Sequence, residues 1–192
     1  MKAPKILYTG LMLLLLGGCA GHRGPVSYYV LSAASDGYAR EASATVRTVS
    51  LSVIDIPQYL NRPQIVLRDP DGVEMKINNS LRWGEDLRTG ITNVLCADLT
   101  ARLAPSGGSA GPMAPGVIGG KRVLVEIRRF DGDLGGKSVL DAVWTLRDGE
   151  DRTSTRTFSA SAPAGTTVRE LVLSLSSLLD ELAAEIHGGL SH

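Results

Sequence analysis

One helical face near the C-terminus limits the folds open to this chain more than any other feature. Val168, Leu171, Val172, Leu175, Leu178, Leu179, Leu182 and Ile186 recur at three- and four-residue steps, the period of a helix with one apolar side. Thr167 and Glu170 form a capping box ahead of it, and Gly188-Gly189 ends it. Such a stripe must be buried against something, and the segments upstream supply a sheet. Residues 46–56 alternate Val49, Leu51 and Val53 with Thr48, Ser50 and Ser52, the period of a strand with one wet face. Pro57 ends that strand, since proline cannot donate to a ladder.

Other strands follow the same logic. Residues 28–31 are aromatic and β-branched. Residues 64–68 and 73–77 flank Asp69-Pro70-Asp71-Gly72, a hairpin turn in which proline presets one angle and glycine takes a positive φ. Residues 122–130, 139–146 and 152–160 are three more strands, with Asp148-Gly149 turning between the last two. The last is so rich in Thr, Ser and Arg that it belongs at an edge. A second amphipathic helix spans residues 85–103 on Leu87, Ile91, Val94, Leu95, Leu99 and Leu103, with Glu85 and Asp86 at its positive end. Residues 105–120, mostly Gly, Pro, Ser and Ala, read as a loose loop. The expectation is a single α+β domain: a mostly antiparallel sheet of six or seven strands with two main helices packed on it.

The N-terminus is a different kind of segment. Lys2 and Lys5 precede an apolar run from residue 6 to 16, which as a helix would reach roughly 16 Å, about half a bilayer core. That is a signal-peptide length. Leu16-Gly17-Gly18-Cys19 then resembles the bacterial lipobox, in which the cysteine sulfur takes a diacylglyceryl group as a thioether. The expected organisation is a signal peptide over residues 1–18, a lipidated tether over 19–27 with Cys19 as the attachment point, and a periplasmic domain over 28–192. Multiple acyl chains make a stable anchor. Ala20, not aspartate, follows the cysteine, which by resemblance to the lipoprotein sorting rule favours the periplasmic face of the outer membrane.

Cleavage takes 18 residues from 192 and leaves 174, ample for one core. It also removes Lys2 and Lys5, so 18 basic residues face 20 acidic ones. That balance argues against nucleic acid as a partner. With Cys19 lipidated, Cys96 has no cysteine to pair with, and its place in an apolar helical pattern marks it as a buried thiol. Gly107-Gly108-Ser109-Ala110-Gly111 matches a serine-hydrolase elbow, but in a loop after a helix instead of between strand and helix. Gly136-Lys137-Ser138 ends like a phosphate loop, but its first glycine falls on Asp131 and it joins two strands. Asp131 and Asp133 start like a calcium loop whose twelfth position is Ala142, where glutamate is needed. Neither a catalytic site, a metal site nor a cofactor site is expected.

Four stretches carry a family resemblance: Tyr28-Tyr29-Val30-Leu31 after the Cys19 lipobox, Ile56-Pro57-Gln58-Tyr59-Leu60-Asn61-Arg62-Pro63-Gln64-Ile65-Val66, Arg82-Trp83-Gly84-Glu85-Asp86-Leu87, and Val123 to Gly132 leading to Ala142-Val143-Trp144. In this order they resemble the ABC-type transport auxiliary lipoproteins, the PqiC-like family. The resemblance implies an outer-membrane lipoprotein, not an enzyme, that serves an intermembrane lipid transport system. Its implied partner is an MCE-family substrate-binding protein that spans the periplasm. A lipid-binding carrier and a structural envelope lipoprotein are the alternatives, and a homo-oligomer stays open. The expected partner-binding residues are Tyr59, Leu60 and Arg62, because tyrosine and arginine are frequent hot spots, together with Trp83. For Tyr59, Leu60 and Trp83 the competing expectation is packing in the core.

Overall fold

The structure, a computed structural model, describes residues 25–34, 49–114, 120–149 and 152–190. The signal segment, Cys19 and the first three positions of the strand expected at 46–56 lie outside the described residues. In chain order the elements are β1 (Ser27–Tyr29), β2 (Val49–Asp55), β3 (Gln64–Arg68), β4 (Met75–Trp83), α1 (Leu87–Leu103), a 3-10 turn (Ala104–Ser106), β5 (Ala110–Pro112), β6 (Lys121–Gly132), β7 (Lys137–Asp148), β8 (Arg152–Pro163) and α2 (Val168–Gly189).

All eight strands among the described residues form one mixed sheet, and β6 joins its parts. One edge of β6 pairs with antiparallel β7 from Lys121 to Gly132. Its other edge is divided. Parallel β2 takes the first half, from Val49↔Lys121 to Asp55↔Glu126, and β3 meets the far end at Leu67↔Gly132. β5 lies outside β2, β4 and then β1 lie outside β3, and among the described residues β8 is an edge strand paired only with β7. The antiparallel ladders hold most of the paired residues, so the α+β single-domain expectation stands, with eight strands in place of six or seven.

One added strand explains that count, and another strand is longer than expected. The segment expected to be a loose loop contains β5, whose parallel pairing with Val49–Leu51 is flanked by bonds from the Val49 N–H to the Ser109 carbonyl at 3.1 Å and from the Met113 N–H to the Leu51 carbonyl at 2.8 Å. Gly, Ser and Ala carry no period, so the edge of β2 imposes the extended form. The strand expected to stop at Ile77 continues through Asn78-Asn79-Ser80 to Trp83, past an irregularity between Gln64↔Arg82 and Val66↔Ile77.

Both helices cover one sheet face. Leu140, Ala142, Trp144 and Leu146 are the buried side of β7, and the Trp144 indole N–H donates to Glu185 of α2 at 3.1 Å. An Arg102–Asp180 ion pair at 2.7 Å joins α1 to α2. The Asp86 carboxylate caps α1 by accepting from the Thr89 N–H at 3.0 Å. The capping box of α2 is complete: the Thr167 hydroxyl accepts from the Glu170 N–H at 3.2 Å while the Glu170 carboxylate accepts from the Thr167 N–H at 2.9 Å.

Candidate partner-docking site

Pro57 breaks β2, and the chain then makes a tight turn. The Leu60 N–H donates to the Pro57 carbonyl at 2.9 Å, the Asn61 N–H to Gln58 at 3.2 Å and the Arg62 N–H to Leu60 at 2.8 Å. The turn sends its side chains in different directions. Leu60 is 3% exposed and belongs to the core, Tyr59 is half-buried, and Gln58, Asn61 and Arg62 face solvent. Trp83 is brought to the same place through the backbone, its N–H donating to the Pro63 carbonyl at 2.8 Å. Its ring is 7% exposed and packed in the core. Of the four residues expected to meet a partner, the structure gathers all four at the start of β3 and leaves Arg62 as the exposed one.

Tyr59 is held by residues far along the chain. Its hydroxyl donates to the Asp131 carboxylate at 2.7 Å. Phe130 and Leu140 are register partners on the helix-covered face, so by strand alternation Asp131 points to the opposite face. There Arg68 reaches the Asp131 carboxylate at 3.0 Å and Arg129 reaches it at 2.9 Å. The Arg68 guanidinium also lies over the Tyr59 ring, 5.2 Å from its centroid, and donates to the Gly72 carbonyl at 2.9 Å. The Asp131 side chain has no exposed surface.

Burial pushes the Tyr59 hydroxyl up to about 12, and its bond to Asp131 adds to the rise. Burial alone would also raise the Asp131 carboxyl, but the bonds from Arg68, Tyr59 and Arg129 outweigh it and hold the group below its ordinary value. A carboxylate so surrounded is fixed in its charged form and its geometry. The arrangement ties the 57–63 turn to β3 and β6, so its solvent-facing side chains are presented on a rigid base. Asp131, Arg68 and Arg129 are absent from the residues expected from sequence. The sole local signal is a charged residue at the end of an apolar strand.

Among the described residues no group of three or more His, Cys, Asp or Glu is placed to hold a metal, and no helix is long and apolar enough to cross a membrane. Cys96 is buried as a thiol.

Comparison with known proteins narrows the possibilities. Residues 29–187 match the family described as ABC-type transport auxiliary lipoprotein component. Curated proteins yield no match. An uncharacterized protein of known crystal structure superposes with a TM-score of 0.72 at 21% identity, covering 87% of this chain and 99% of its own. Protein XCC0632 from Xanthomonas campestris superposes with a TM-score of 0.60 at 15% identity, covering 86% and 98%. Likeness at these identities carries the fold.

Proposed function

Because the chain belongs to the ABC-type transport auxiliary lipoprotein family, we propose that it is the outer-membrane accessory subunit of an MCE/ABC-type intermembrane lipid transport system, anchored through Cys19 on the periplasmic face. In this role it docks the periplasm-spanning MCE-family substrate-binding protein to the outer membrane. The family is one of transport auxiliary components, not of enzymes. The observation that carries docking is the 57–63 turn: a solvent-facing Arg62 on a segment already ordered by the Asp131 network, so little ordering entropy is spent on binding. Packing favours docking over carriage of a lipid within the fold. The space between helices and sheet is filled by Leu51, Ile91, Leu95, Leu99, Trp144 and Leu178, each 1% exposed or less.

The test isolates Arg62, the exposed residue of the four. Arg62→Glu is expected to melt with the wild type, stay in the outer-membrane fraction and recover at least ten-fold less MCE protein on affinity purification. Recovery equal to wild type would remove the turn as the docking surface. Cys19→Ser in parallel is expected to leave an uncleaved precursor without lipid.

A further inference from the structure

Three exposed apolar side chains gather at the tip of the β3–β4 hairpin. Of the eight large ones among the described residues, Val73, Met75 and Ile77 lie together at the turn and the start of β4, while Val26, Tyr28 and Val30 lie on or beside β1, at the far end of β4. Val73, in the turn, is 82% exposed, and Tyr28 is 66% exposed. Isolated apolar residues on a surface are ordinary, whereas a grouped set marks a contact.

The direction of β1 says what makes that contact. β1 runs parallel to β4, with Ser27↔Leu81, Tyr28↔Arg82 and Tyr29↔Trp83. The chain therefore enters β1 from the end of β4 where Ile77, Met75 and Val73 lie. Eight residues separate Cys19 from Ser27, a reach of at most about 27 Å for an extended chain. Eight residues also separate Val73 from Leu81, with the same upper bound. A bilayer that holds the lipid of Cys19 is thus within reach of the hairpin tip.

We infer that the β3–β4 hairpin tip, with Val73, Met75 and Ile77, rests in the headgroup region of a zwitterionic phospholipid surface. The inference rests on the lipid-anchor reading of Cys19. Charge selects the lipid class. Residues 69–76 carry Asp69, Asp71 and Glu74 against Lys76, and that lysine is paired with Asp69 at 2.6 Å. The acidic excess is repelled by anionic headgroups and tolerated by zwitterionic ones. In this seating the other end of the hairpin, where the Trp83 N–H meets Pro63, points away from the bilayer and carries Arg62 toward the periplasm.

The experiment uses the processed, lipidated full chain in phosphatidylcholine vesicles doped with spin-labelled lipid. An environment-sensitive fluorophore is placed at Val73→Cys or, as a control on the edge strand β8, at Thr155→Cys; Cys96 is buried. The expected result is a blue shift and at least three-fold stronger quenching at position 73 than at 155, weakened when a third of the lipid is made anionic. A protein that floats with the vesicles yet shows equal quenching at both positions overturns the seating alone. A protein that does not float overturns the anchor, and the seating with it.

Discussion

At the scale of single residues, burying a carboxylate costs several kcal/mol unless charged donors surround it, and Asp131 meets Arg68, Arg129 and the Tyr59 hydroxyl. Asp131→Asn keeps the shape but leaves two guanidinium groups facing a neutral amide. We expect a loss of about 3 kcal/mol, read from the urea midpoint, and a loss under 1 kcal/mol would mean that water replaces the carboxylate. The two shifts also set opposite pH limits. Asp131 has a lowered folded value, so its contribution is complete above its ordinary value of 3.8 and is lost as pH falls below it. Tyr59 has a raised value, so its contribution is complete below 10.0 and is lost as pH rises toward about 12. Tyr59→Phe should therefore be less stable than the wild type at pH 8, with a gap that narrows between pH 10 and 12; a constant gap would contradict the assignment. Sequence brought Tyr59 into view because tyrosine is a frequent hot spot. Its acceptor lies 72 residues away, and no local pattern links the two.

At the scale of elements, the helices were legible because a stripe of three- and four-residue steps and a capping box are local. β5 was not, because three residues of Ala, Gly and Pro become a strand only beside the edge of β2. The end of α2 lies between these cases. Gly188-Gly189 reads as a stop, yet the helix runs through both and their surroundings differ. A Cβ at Gly188 would meet nothing, whereas one at Gly189 would come within 2.4 Å of the edge of the Trp144 ring, which Glu185 holds in place. Gly189→Ala should cost about 1–3 kcal/mol by overpacking, a fall of several degrees in Tm for a domain this size. Gly188→Ala should be neutral or stabilising, because alanine is the better helix former. Equal melting of the two variants would show that the Trp144 ring yields freely.

At the scale of the whole molecule, β6 is bonded on one side along its length and divided between two partners on the other. Its amides around Val123 and Val125 should exchange at the rate of global unfolding, while those of the edge strands β1 and β8 exchange by local opening. That division also sets an order of events in a chain that emerges N-terminus first. β2 must wait about seventy residues for β6, since Val49 pairs with Lys121, and β1 must wait for β4, since Ser27 pairs with Leu81. Until then the edge of Val49, Leu51 and Val53 that faces β6 stays unpaired, the profile of an aggregating intermediate. The early strands are in this sense deposits left uncovered by their own timetable, and a chain cut after Pro112 should need a holding chaperone indefinitely, because the strand that would release it has not been made.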